Sequence, residues 1–226
     1  MPPLHSRSRP PRDPGPVHHP LFARFYARTA PALEARSGMA GYRRELADGL
    51  AGRVIEIGAG PGLNFPYYPD GVSEVVAVEP EQRLRRAAVE AAVRAGVPVD
   101  VVPATAEALP VKSEAFDAAV VCLVLCSVRD VPRALGELRR VLRPGAEVRF
   151  FEHGRAEERT FAAVQRVADR TFWPRLFGGC RTSRDPLRAL AAAGFAVRSW
   201  RRVRVPETGL RLPSSPCVTG VAVRPD

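Results

Sequence analysis

Glycines at positions 58, 60 and 62, a glutamate two residues before them and a second glutamate at 79 are the residues whose types and spacing point to a ligand. They follow the short apolar run Val54-Ile55-Glu56-Ile57. Glycine carries no Cβ, so the backbone there can turn sharply and approach a bound molecule closely. A strand running into such a loop delivers a ligand to the carboxyl end of a parallel sheet. Glu79 stands at the tip of the next apolar run, where its carboxylate can accept hydrogen bonds from the two hydroxyls of a ribose. The loop Gly58, Ala59, Gly60 and Gly62 and the tip Glu79-Pro80 therefore read as a nucleoside site.

The spacing narrows the choice of nucleoside. A dinucleotide fingerprint has the form G-x-G-x-x-G. Here Leu63 occupies the place of the third dinucleotide glycine. Glu56 would repel a pyrophosphate and suits a cationic ligand bearing an amino group. Glu56-x-Gly58-x-Gly60-x-Gly62 resembles motif I of the class I S-adenosylmethionine-dependent methyltransferases, whose cofactor is a sulfonium with an α-amino group. Asn64, just past the loop, either caps a following helix or touches the carboxylate end of that cofactor.

The elements that must position these groups can be placed from periodicity and turn signals. Helical spacing covers residues 21–37, where Leu21, Phe25 and Tyr26 are apolar positions, and residues 42–50. Strands are expected at 53–58, 74–79, 99–103, 116–122 and 146–151, with helices at 81–95 and 131–142 between them. That alternation predicts crossover units and a parallel sheet. A helix ending at Gly194 leads into strands at 195–205 and 217–223, separated by a stretch holding three prolines. With no crossover helix between them, these two strands should pair antiparallel. The fold class expected is therefore α/β, a Rossmann-like seven-stranded sheet, mostly parallel, with an antiparallel C-terminal hairpin and helices on both faces.

Over residues 20–224 the order of signals resembles the ubiquinone-biosynthesis type of small-molecule methyltransferase. The matching stretches are the glycine loop, Glu79, Ala106-Glu107-Ala108-Leu109-Pro110, Phe116-Asp117 and the turn from Leu138 to Gly145. More narrowly, Asn64-Phe65-Pro66-Tyr67-Tyr68-Pro69, Leu125-Cys126-Ser127-Val128 and Phe151-Glu152-His153 resemble the animal methyltransferase-like proteins that methylate alkyl thiols. The resemblance implies S-adenosyl-L-methionine as cofactor and a small-molecule acceptor, a thiol or a hydrophobic phenol or quinone-like compound. It implies that Thr105, Ala106 and Glu107 flank the adenine, and that Cys122 and Leu123 lie where the methyl group emerges. Tyr26 is expected to close over the cofactor. A thiol or phenol must lose a proton before it attacks, and His153, near the end of the fifth strand, is the candidate catalytic residue. Residues 21–50 would form a cap over the domain 21–226, and residues 154–184, rich in Phe and Trp, an insertion on the acceptor side.

Composition sets the remaining bounds. The formal charge of +10 invites a nucleic-acid partner, but Lys112 is the only lysine and the arginines are spread along the chain. They read as solvated faces. The N/D-P-P-Y/F signature of amino-directed nucleic-acid methyltransferases is also missing after the fourth strand, so RNA methylation stands as the alternative, beside a non-catalytic cofactor-binding protein. Cys122, Cys126, Cys180 and Cys217 form no C-x-x-C pair, and no metal site is expected from their spacing. No apolar run is long enough to span a bilayer, and residues 1–20 are rich in Pro, Arg and His, which reads as a disordered leader. A cytoplasmic location is expected.

Overall fold

The computed structural model describes residues 19–226, so the expected leader falls, up to residue 18, outside the described residues. Seven strands form a single sheet: β1 Gly52–Ile57, β2 Val72–Val78, β3 Val99–Val102, β4 Phe116–Cys122, β5 Leu142–His153, β6 Ala196–Arg204 and β7 Pro216–Val223. Their order is β3-β2-β1-β4-β5-β7-β6. The first five are parallel to one another, and β7 lies antiparallel between β5 and β6. The expected hairpin is present, with its second strand rather than its first against the parallel sheet.

Strand side chains alternate between two faces, and each face has its own core. Ile55, Ile57, Val76, Val78, Ala119, Val121, Val148 and Phe150 pack under α4 (Val131–Val141) and α7 (Pro186–Ala192). Val54, Val75, Ala77, Ala118, Val120 and Phe151 pack under α2 (Met39–Ala47), the 3-10 turn Phe65–Tyr67 and α3 (Gln82–Ala92). The first helix, α1 (Pro20–Ser37), lies against α2 and α3. The edge strand β6 exposes Arg198, Arg201, Arg202 and Arg204, and such charge keeps an open edge from pairing with another chain.

Three elements depart from expectation for identifiable reasons. After the glycine loop the chain forms only the 3-10 turn before returning to β2. Pro61, Pro66 and Pro69 withhold amide donors, while Phe65 and Tyr68 fix the segment into the core. The helix expected at 81–95 begins at Gln82, because Glu81 is its cap and accepts from the amides of Arg83 and Leu84. It ends at Ala92. Strand β5 starts at Leu142, earlier than expected, and Gly145 N donates to Arg224 O at the same edge.

Residues 154–184 hold α5 (Arg159–Arg170) and α6 (Trp173–Leu176). Two buried polar side chains of α5 fasten this segment to the rest. Gln165 accepts from Ala156 N and donates to the carbonyls of Gly154, Thr182 and Pro213. Asp169 accepts from the amides and hydroxyls of Thr182 and Ser183.

Gly220 of β7 packs against β6 and Phe150 so closely that a Cβ would lie 2.2 Å from Ser199 O and 2.9 Å from Phe150 Cζ. Gly220→Ala is expected to lower stability by at least about 1–3 kcal/mol, the usual cost of overpacking. Urea denaturation with an unchanged m-value would measure it.

Candidate active site

The carboxyl ends of β2, β1, β4 and β5 open into a cavity of about 1280 Å³. That is room for more than one small ligand. Glu79 follows β2 and His153 ends β5, three strand spacings or about 14 Å apart across the sheet. Sequence order alone does not show that separation. The parallel register of adjacent strands produces it.

The glycine loop forms the floor. Gly58 has φ of +67°, and a Cβ there would sit 2.3 Å from Val124 Cγ2, so the loop and the tip of β4 approach closer than any side chain permits. At Gly60, with φ of +57°, the nearest atom to a Cβ is Tyr26 Cε1 at 3.8 Å, so the backbone there faces open space. Ala59 lines the cavity beside them. Gly62 does not. It packs against Phe65 and Ala91, where a Cβ would lie 2.6 and 2.9 Å from their side chains. Among the described contacts it serves close packing of the loop.

Glu79 is buried, with Oε2 accepting from Gly60 N and Oε1 from Glu81 N, both at 2.8 Å. Each oxygen keeps a further lone pair for a hydroxyl donor. Burial pushes this carboxyl up to about 7 from its ordinary 4.5, against the pull of those amides. Arg85 donates to the carbonyls of Glu79 and Pro80 and fixes the tip. Thr105 and Ala106 stand in the same wall, and Thr105 Oγ1 is buried without a hydrogen-bond partner. Glu107 also lines the cavity, but its Oε1 accepts from the amides of Arg129 and Asp130, so this side chain ties two loops together.

Glu56 lies behind the loop, and protein groups hold both of its oxygens. Oε1 accepts from Asn64 Nδ2 and Oε2 from the Tyr68 hydroxyl. Burial pushes it too up to about 7. Asn64 makes no cap. Its Oδ1 instead accepts from Arg43 Nη1, whose guanidinium also donates to Cys122 Sγ at 3.5 Å and pairs with Glu34. Sequence reading missed Arg43, a buried cation on a helix otherwise rich in exposed charge. Burial pushes the Cys122 thiol up to about 12.

At the far end the tip of β4 carries Leu123 with φ of +57°, a left-handed conformation costly for a branched side chain. Glu152 Oε1 accepts from the following amides of Val124 and Leu125. His153 Nδ1 lies 3.4 Å from Cys180 Sγ. Over this end sit Tyr26, stacked on Phe22 at 5.2 Å, and Trp173, stacked on Phe177 at 4.2 Å. Helix α1 meets the loop after α6, where a Cβ on Gly178 would lie 2.7 Å from the Phe22 ring. His19 also lines the cavity.

Comparison with known proteins gives the family. A methyltransferase-domain family matches residues 55–150. The chain is 33% identical to human thiol S-methyltransferase TMT1A over 180 residues, 74% of this chain and 73% of that protein. It therefore belongs to the class I S-adenosylmethionine-dependent methyltransferases. The ubiquinone/menaquinone biosynthesis C-methyltransferase UbiE of Syntrophotalea carbinolica is 32% identical over 139 residues, 60% of this chain and 58% of its own. A solved S-adenosylmethionine-dependent methyltransferase from Aquifex aeolicus superposes with a TM-score of 0.63 at 18% identity, covering 92% of this chain and 99% of its own.

The residues present fit the cofactor this family uses. The open backbone face at Gly60, the two spare lone pairs of Glu79 and the unsatisfied Thr105 hydroxyl are groups that a nucleoside completes. An ionised Glu79 accepts ribose hydroxyls better than a protonated one, so S-adenosylmethionine affinity should rise with pH through about 7. The gain from pH 6 to pH 8 is expected to be about tenfold, one proton's linkage, and calorimetry on Glu79→Gln should show most of that dependence gone. Stability without cofactor has the opposite sign: a raised carboxyl favours folding at low pH, and that contribution is lost as pH climbs from 4.5 to about 7.

Proposed function

We propose that this methyltransferase acts on the sulfur of small apolar thiols. The observation that carries this reading is the character of the acceptor end. It is walled by Phe22, Phe25, Trp173, Leu176 and Phe177 together with Arg181 and Arg184. Cations in this wall disfavour an amine, which would gain positive charge on methylation. They favour an acceptor that must become an anion to react. The human relative, a thiol S-methyltransferase, supports the same class of acceptor.

Bound S-adenosylmethionine supplies a methyl group already activated for attack. The chain supplies orientation and loss of the acceptor's proton. Glu79, Thr105 and Gly60 hold the nucleoside, Tyr26 covers it, and Cys122 and Leu123 form the wall beside the emerging methyl group. We assign to His153 the task of promoting loss of the thiol proton. Residues 21–50 act as the cap, and residues 154–184 select the acceptor through the aromatic side chains of α6. Four free cysteines support a reducing, cytoplasmic setting, and no helix among the described residues is long and apolar enough to cross a membrane.

Label transfer from methyl-labelled cofactor, measured across alkyl thiols, phenols, quinone precursors, amines and RNA, tests the reading. Thiols are expected to be methylated; transfer confined to RNA or amines would overturn it. His153→Ala is expected to reduce turnover by about 10²-fold or more, the scale of lost proton-transfer help, while cofactor affinity by calorimetry stays unchanged.

A further inference from the structure

Cys126, His153 and Cys180 have ligand atoms that all lie within 4.8 Å of one another, the one such cluster among the described residues that could hold a metal ion. They come from the β4–α4 loop, the end of β5 and the loop after α6, 27 residues or more apart in sequence for either pair with His153. That is why spacing along the chain gave no metal signature. We propose that these three side chains bind one zinc ion, and that its fourth position opens into the acceptor end of the cavity, where the acceptor thiol coordinates. This rests on the thiol-methylation reading above and gives His153 its means of action, as a ligand.

Geometry supports the site. Atoms about 2.1–2.3 Å from a tetrahedral zinc stand about 3.5–3.8 Å from each other, and Cys180 Sγ is already 3.4 Å from His153 Nδ1. The donors are two sulfurs and an imidazole with no carboxylate among them, a set that selects zinc over magnesium or calcium. Three protein ligands with one position free is the arrangement of reactive rather than purely structural zinc. All three residues line the cavity.

The surrounding structure holds the three groups in place without a ligand. Arg181 N donates to Cys126 O at 2.8 Å and joins the two cysteine loops. Asp169 anchors Thr182 and Ser183 just beyond Cys180. Glu152 anchors the loop before Cys126. Trp173 and Ala168 pack over the two thiols. Charge is also balanced. Two thiolates neutralise the dication, and the Arg184 guanidinium, held by Leu125 O and Val128 O, stands beside the site to offset a third thiolate.

Zinc binding displaces the Cys126 and Cys180 protons to solvent. When the acceptor binds, a zinc–water bond breaks, a zinc–sulfur bond forms, and the acceptor's S–H proton leaves to solvent. The acceptor is then held as a thiolate at neutral pH, with no free base required to carry its proton.

The full chain, purified under reductant, should contain close to one zinc per molecule by elemental mass spectrometry. Cobalt(II) exchanged into the site should show intense tetrahedral visible bands and thiolate-to-cobalt charge transfer, and an alkyl thiol should shift both. Cys126→Ser, His153→Ala and Cys180→Ser should each weaken zinc binding by more than the about 10–100-fold that follows loss of a ligand's own supporting partner. Retained S-adenosylmethionine affinity would show that the variants fold. Wild-type protein that takes up no more zinc than the Cys126→Ser/Cys180→Ser double variant would overturn the metal site, as would a Cys126–Cys180 disulfide in its place. Thiol methylation persisting in that zinc-free protein would leave the proposed function standing. A zinc-loaded protein whose cobalt spectrum ignores every thiol would overturn acceptor coordination.

Discussion

The cofactor end of this structure depends on a carboxylate kept out of water. Glu56 sits in the middle of the sheet one residue before the strand gives way to the glycine loop, and removing such a group from solvent costs several kcal/mol unless partners replace the water. Tyr68, Asn64 and, through Asn64, Arg43 are those partners. They come from three segments: the residue that ends the 3-10 turn, the end of the glycine loop and α2. Arg43 also pairs with Glu34 of α1, so the chain of contacts reaches the helix that carries Tyr26 over the cavity. A buried ion pair of this kind adds little net stability compared with apolar packing. What it contributes here is position, because it ties α1 and α2 to the strand that leads into the glycine loop.

The two ends of the cavity then differ in chemistry because different strands feed them. On the β2 and β1 side, backbone amides and buried carboxylates meet a ligand rich in hydroxyls. On the β4 and β5 side, two thiols, an imidazole and aromatic rings form a soft, apolar wall. The separation of about 14 Å between them follows from strand spacing alone, so the fold sets the two ends apart before any side chain is considered. Trp173 and Phe177 belong to the segment that α5 fastens through Gln165 and Asp169 to the loop before α7.

Local signals were legible where one residue type at one position has one structural use. The alternation of apolar runs with helical stretches located all seven strands to within a few residues, and the absence of a crossover helix before β7 gave its antiparallel direction. Positions in the glycine loop were legible as a group, but their separate uses were not. Gly60 faces the cavity, Gly58 admits Val124, and Gly62 serves packing against Phe65, a distinction set by neighbours from elsewhere in the chain. The same limit hid Arg43 and the cluster of Cys126, His153 and Cys180. Their meaning lies in contacts between segments far apart in sequence, and the cysteines read one at a time are ordinary buried thiols. Glu107 was legible as a residue of the loop after the third strand, while its hydrogen bonds to the β4–α4 loop depend on a register that periodicity does not reveal.

The tip of β4 shows how stability and site geometry are traded. Leu123 in the left-handed region costs about 1–3 kcal/mol, and a glycine would remove that strain. The turn it makes aims the amides of Val124 and Leu125 at Glu152 Oε1, two hydrogen bonds to a charged acceptor worth about 1.5–3 kcal/mol each. It also sets Val124 against Gly58 and swings Cys126 toward His153. A glycine at 123 would loosen the loop that joins the cofactor floor to the acceptor wall and would withdraw apolar cover from the core beside Cys122. The strained leucine is therefore best understood as the residue that couples the two halves of the cavity, its cost offset by the carboxylate on the neighbouring strand.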